Sequence, residues 1–470
     1  MLFSSLFFIC IFLPVTLIIY YAVPWKFKNF VLLILSLVFY AWGEPVYVIL
    51  MMFSIVFNYM AGIQMGDFRK LKNERRRKIV FIFTVAVNLG MLGFFKYFDF
   101  LIGSINGLFG ANIPLKNIAL PIGISFYTFQ ILSYVIDVYW GKVPVQKNII
   151  SFGAYITMFP QLIAGPIVRY EDIMSQLKRR TINIRKIADG AAWFIKGLSK
   201  KVLLANNIGM LFDSISAIDA SERAVTTTWL MVAAFALQIY FDFSGYSDMA
   251  VGLGKMMGFE FVQNFDHPFT SMSAAEFWRR WHISLGTWFR EYVYIPLGGN
   301  RCSALKNMRN LMVVWVLTGL WHGAAWNFIL WGAFFGVMMI LEKYVIGNFL
   351  ERLPRALRHL YAAVVTFFSW ILFSAPSTAE IGRTIVSGTG GYGNAFIDST
   401  TVYFFMTNLV LIIICILCST PLVSNLFKAL CRNFGTGGEA AGAICYCLML
   451  VVSMAFLVND TYNPFLYFRF

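Results

Sequence analysis

Residues 317–332 read LTGLWHGAAWNFILWG, and a single titratable group, His322, lies in this otherwise apolar run. The apolar character continues from Ala325 to Ile346, which is about the length of helix needed to cross a ~30 Å hydrocarbon core. Comparable runs recur at 3–23, 29–42 with its flanks, 46–63, 79–95, 401–418 and 441–458. Across all 470 residues, 59% are hydrophobic and only 13% charged, with a mean hydropathy of +0.69. A water-soluble domain carries about 25% charged residues. The chain therefore reads as an all-α polytopic membrane protein.

The first apolar run has no basic region before it and is followed by further spans, so it reads as a first transmembrane helix and not as a removable signal peptide. A net charge of +15 would suggest nucleic acid in a soluble chain. Here the cations fall in short loops, PWKFK (24–28) and FRKLKNERRRK (68–78), while GEP (43–45) has none. Basic loops stay on the cytoplasmic side. The pattern places the N-terminus outside and loops 24–28 and 66–78 in the cytoplasm, with lipid headgroups as partners and no nucleic acid. Cys415 and Cys418 are spaced C-x-x-C but within LIIICILC, where thiols act as small hydrophobes. No second Cys/His pair stands at zinc spacing, so no metal is expected.

Along the chain, residues 1–95 read as simple spans. Residues 96–332 read as a core of shorter, interrupted apolar segments, and 333–470 as further spans, all within one membrane domain. Broken backbone at membrane depth is tolerated only where protein or a wet cavity surrounds it, so the middle is the expected functional core. GTGGYG (388–393) matches G-x-G-x-x-G, but it follows no strand and opens no helix, and is read as a loop. Walker A, G-x-S-x-G and H-E-x-x-H motifs are absent.

Ionisable groups inside apolar segments are costly and are candidates for function. Asp137, Asp242 and Asp248 are such groups, although the structural reading, pairing with a buried cation or capping a helix break near 244–247, is the favoured one. In EFWRRWHISLGTWFREYVYIPLGGNR (276–301), a continuous helix would set Trp278, Trp281, Leu285, Trp288 and Tyr292 on one stripe. Arg279, His282, Gly286 and Arg290 would form a second, and the two cations would disfavour a charged imidazole. For His322, Gly319 and Gly323 suggest space for a reactant, and Trp315, Trp321, Trp326 and Trp331 a barrier to water. Such a site suits a histidine acting as general base on a hydroxyl. His267 and His359 lie in a loop and a basic juxtamembrane stretch, and receive no catalytic role.

The block WRRWHISLGTWFREYVYIPLGGNR, followed forty residues after its histidine by GLWHGAAWNF, resembles the membrane-bound O-acyltransferase family. The resemblance is to the bacterial branch that includes the membrane subunit of alginate O-acetyltransferase, and extends to FPQLIAGPIVRYEDI (159–173), YFDFSGYSDMAVGLGKMMGF (240–259) and YNPFLYFRF (462–470). It implies about eleven spans, each near the ~20-residue crossing length, plus re-entrant and interfacial helices around a central funnel. It also implies that His322 and His282 are the active-site histidines. The reaction implied is transfer of an acyl group from a cytoplasmic thioester, acetyl-CoA or an acyl carrier protein, to an extracytoplasmic glycan hydroxyl, with relay through a periplasmic or surface acetyltransferase. On that reading Arg279 and Arg290 anchor donor phosphates or lipid, Trp321 and Trp326 wall the site, and Asp242 is a further binding candidate. D-alanyl transfer to teichoic acid is the nearest competing reaction. A proton-coupled transporter using the three aspartates is the rival from another class.

Overall fold

The computed structural model describes residues 1–163, 165–459, 462, 463 and 466. Of the terminal block 462–470, only Tyr462, Asn463 and Leu466 are among them, and Ala164 of the 159–173 block also lies outside. The chain divides into two compact units, residues 1–194 with 249–262, and residues 195–248 with 263–470.

In the first unit, α1 (Leu13–Ala22) is preceded by a π-helical turn, and α2 (Lys28–Gly43), α3 (Tyr47–Lys70) and α4 (Glu74–Phe109) follow. With its preceding turn, α1 forms an apolar helix over Phe8–Ala22, shorter than the 3–23 run suggested. By contrast α4 has 36 residues, about 54 Å at 1.5 Å per residue, and runs unbroken through residue 95. Polar and basic residues at its start continue the helix past the apolar stretch. The side chains of Asn58 and Asn88 exchange hydrogen bonds of 3.1 and 2.7 Å between α3 and α4, satisfying two amides where water is scarce. Next come α5 (Ile124–Trp140), α6 (Ile149–Thr157), the single turn α7 (Phe159–Leu162), α8 (Tyr170–Lys178) and α9 (Ile184–Ser199). Phe3, Phe8, Phe12, Phe39 and Phe159 pack ring to ring as an aromatic core. Asp137 is fully buried on α5, with Lys142 3.9 Å away.

In the second unit, α9 continues through a π-helical turn (Lys200–Ala205) into α10 (Asn206–Ser216), followed by α11 (Val225–Met256). α11 is a 32-residue helix with no break at 244–247, contrary to the expectation from its Gly and Ser. A Cβ at Gly245 would meet the carbonyl of Gly197, so this glycine permits close helix packing and opens no turn. After α11 come the short helices α12 (Ala274–Arg280) and α13 (Ile283–Phe289), then α14 (Ala304–His322) and α15 (Trp326–Leu341). A π-helical turn (Glu342–Ile346) leads into α16 (Gly347–Arg352), followed by α17 (Arg355–Ser374) and α18 (Thr378–Gly388). α18 ends at the first residue of GTGGYG (388–393), and the rest of that stretch is non-helical. The unit ends with α19 (Ser399–Thr407), α20 (Leu409–Cys418), α21 (Pro421–Asn433) and α22 (Gly435–Asn459).

Among the described residues, seven helices are long and apolar enough to cross a membrane, or eight if α19 and α20, bent by 60°, form one span. This is fewer than the about eleven implied by resemblance, because helices such as α5 fall below the ~20-residue crossing length. The protein is all-helical where described and multi-pass. The four-residue α7 and the seven-residue α12 and α13 lie within residues 96–332, as does the 32-residue α11.

Candidate active site

His322 is the last residue of α14, so the helix stops at the imidazole instead of carrying it mid-span. Gly323 and Ala325 are extended, and four residues after His322, at Trp326, the chain begins α15. The two helices form a tight hairpin. A Cβ at Gly319 would collide with the carbonyl of Phe328, one at Gly332 with the carbonyl of Trp315, and one at Gly323 with the Phe328 ring. The glycines that suggested room for reactants are therefore filled by the hairpin's own packing. What they provide is a close backbone approach that fixes the position of His322.

His322 is 5% exposed. Its ring is met edge-on by Trp331 at 5.0 Å, Trp321 at 5.1 Å and Phe373 at 5.4 Å between centroids. Trp326 is 51% exposed and does not wall the site as expected; Trp331 and Phe373 take that place. The indole N–H of Trp331 has no hydrogen-bond partner among the described residues. Buried donors are seldom left unpaired, so this one invites an acceptor.

His282 does not lie on a continuous helix. α12 ends at Arg280, α13 starts at Ile283, and His282 sits between them with φ 48° and ψ 52°. The left-handed region is sparsely populated by residues with a Cβ, and such strain concentrates at functional positions. The break also dissolves the predicted second stripe: Arg279, Gly286 and Arg290 are exposed, whereas His282 is 1% exposed. Trp281, Leu285, Trp288 and Tyr292 of the first stripe are buried, as core packing requires.

The imidazole of His282 is oriented by Asn264. Asn264 Oδ1 accepts from the backbone N–H of Ser284 at 3.0 Å and from Ser284 Oγ at 3.0 Å, and faces His282 Nδ1 at 3.3 Å. A backbone N–H can only donate, so the atom it meets is the amide oxygen, and Nδ1 carries the proton it gives to that oxygen. Nε2 is then an acceptor, and it has no hydrogen-bond partner among the described residues. Burial lowers the His282 pKa to about 3, keeping the ring neutral. The neutral form was expected, but from two neighbouring cations; those arginines face outward, and desolvation is the cause. Phe243 at 4.7 Å and Trp321 at 5.8 Å flank the ring, and the His322 ring lies 6.5 Å away.

Asp242 is engaged elsewhere. It pairs with Lys201 at 2.7 Å and accepts from the backbone N–H of Leu466 at 2.9 Å. Asp248 pairs with Lys200 at 2.7 Å and Lys196 at 3.5 Å. Asp242 matches the structural alternative, pairing with the buried Lys201, whereas the lysines paired with Asp248 are only partly buried. The sequence reading missed Asn264 and Phe373, because no periodicity ties either to the histidines.

The sequence model of the membrane-bound O-acyltransferase family matches residues 142–381. Probable alginate O-acetylase AlgI of Azotobacter vinelandii is 42% identical over 379 residues, covering 80% of this chain and 75% of its own length. The protein of the same name in Pseudomonas aeruginosa is 43% identical, with 80% and 72% covered. Peptidoglycan O-acetyltransferase of Helicobacter pylori is 32% identical over 426 residues, with 83% and 80% covered. The chain belongs to the membrane-bound O-acyltransferase family and is a membrane-embedded O-acyltransferase.

Proposed function

We propose that this enzyme transfers an acetyl group from a cytoplasmic thioester to a hydroxyl of an extracytoplasmic polysaccharide, directly or through a separate periplasmic or surface acetyltransferase. The observation that carries the reading is the pair of buried histidines, 6.5 Å apart in an aromatic enclosure, one of them presenting an unshared Nε2. A thioester is already activated and needs protection from hydrolysis, which an aromatic enclosure supplies. The names of the relatives with 32–43% identity support an acetyl group and a glycan acceptor.

In this mechanism His322 takes the proton of the acceptor hydroxyl as its oxygen attacks the thioester carbonyl. The C–S bond breaks, and the imidazolium returns the proton to the sulfur, giving ester and thiol. His282, acceptor-only at Nε2, orients the hydroxyl or the departing thiol, and in this tautomer does not hold the carbonyl oxygen. The indole N–H of Trp331 is a donor suited to that oxygen. Arg279 and Arg290, exposed cations, bind donor phosphates, supplied by acetyl-CoA or a carrier-protein arm. The enzyme lies in a bacterial cytoplasmic membrane with its N-terminus outside and loops 24–28 and 66–78 in the cytoplasm.

The test is a vesicle assay with purified protein, labelled acetyl thioester on the face bearing loop 66–78 and an oligosaccharide on the other. Base-labile label on the oligosaccharide supports the reading, and D-alanyl thioester in the same assay reads the competing reaction. Movement of oligosaccharide without ester formation, abolished by Asp248→Asn, would establish the transporter instead.

A further inference from the structure

Glu342 is a buried carboxylate within the 27-residue apolar span Trp326–Arg352, at the start of its π-helical turn. Burying a carboxylate is expensive unless its oxygens are well bonded. They accept the backbone N–H of Ala274 at 2.6 Å and of Ala275 at 2.9 Å, and Tyr361 Oη donates to Oε1 at 3.1 Å. Ala274 and Ala275 are the first two residues of α12, where backbone N–H groups have no acceptor within the helix. Ser273 Oγ accepts the N–H of Glu276 at 3.0 Å and completes the cap.

α12 has seven residues and leads directly into Trp281 and His282. A helix that short does not hold itself, so its place is set by what grips its ends. Asn264 grips the far end, where its carbonyl accepts the N–H of Ile283 at 3.0 Å. Glu342 grips the near end. The two residues after it reach the other histidine's helix: Lys343 Nζ and Tyr344 Oη each donate to Asn307 Oδ1 of α14 at 2.8 Å. Three consecutive residues of one turn thus bond to α12, which leads into His282, and to α14, which ends at His322.

We propose that Glu342 is a positioning residue that sets the separation of His282 from His322 by anchoring the N-terminus of α12. The inference rests on the reading of those histidines as the reacting pair. Loss of the anchor shifts His282 relative to its partner without touching donor binding.

The test compares Glu342→Gln and Glu342→Ala with wild type in vesicles, measuring kcat and KM for acetyl-CoA beside His282→Ala and His322→Ala. Gln keeps one acceptor oxygen but turns an NH2 toward a backbone N–H. Turnover should fall about tenfold in Glu342→Gln and about 100-fold in Glu342→Ala, the cost of a misplacement near 1 Å, with KM within twofold. Should Glu342→Ala fail to insert, Glu342→Gln alone decides. Turnover within twofold of wild type in the folded Gln variant, or a change confined to KM, overturns the proposal while leaving the histidine reading intact. If instead His282→Ala and His322→Ala keep normal turnover, the underlying reading fails.

Discussion

The imidazoles of His282 and His322 stand 6.5 Å apart, centroid to centroid, at an interplanar angle of 65°. Neither is held by a regular helix interior: one occupies a left-handed break between two short helices, and the other ends a helix at a hairpin. Each ring is fixed by packing that substitutions can loosen separately.

Asn264 fixes the tautomer of His282, so its removal should harm turnover more than folding. Asn264→Leu should lower kcat about 100-fold, in line with the sensitivity of reacting geometry to small displacements. Asn264→Asp keeps an acceptor for Nδ1–H and should retain more activity than Leu. Equal losses in both variants would contradict the tautomer assignment.

Burial of His282 ties stability to pH. An unfolded histidine titrates near ~6.5, whereas the folded residue is lowered to about 3. Between those values the unfolded chain binds a proton that the folded one refuses, so this contribution is complete above about 6.5 and declines as pH falls toward 3. Tm in detergent should fall from pH 7 to pH 5 more steeply for wild type than for His282→Gln. Parallel curves would contradict the burial argument.

The Lys201–Asp242 pair is buried on both sides. Lys201→Met leaves an uncompensated carboxylate and should cost about 3–5 kcal/mol. Lys201→Met with Asp242→Leu should recover most of that stability, read by thermal unfolding in detergent, together with acyl transfer. A stable but inactive double variant would return Asp242 to the substrate-binding residues.

At the α14–α15 crossing, Gly319→Ala places a methyl group against the Phe328 carbonyl. Overpacking of this kind costs about 1–3 kcal/mol, and the strain falls three residues from His322. The variant should show both a lowered Tm and lowered kcat, while Gly382→Ala, where a Cβ meets open space, should change neither.

Much of this architecture was legible in the sequence, and for physical reasons. Apolar runs announced the spans, since a bilayer demands length and apolarity together, and His322 stood out because an imidazole is rare in such a run. The break at Trp281–His282 was not legible: tryptophan, isoleucine and leucine at helical spacing mask a kink that Asn264, eighteen residues upstream, holds in place. Gly319 and Gly323 read as space because a sequence does not say what will fill it. Glu342 went unremarked inside the 325–346 run, because the amides of Ala274 and Ala275 that it meets lie 68 and 67 residues upstream.

The central claim is that His322 moves the acceptor's proton. The most direct measurement is single-turnover acyl transfer by His322→Ala in vesicles, with labelled acetyl thioester and insertion checked by an unchanged Tm. A rate reduced by about 10²–10⁴-fold, the usual worth of a general base, is the predicted result. A rate within twofold of wild type would contradict it.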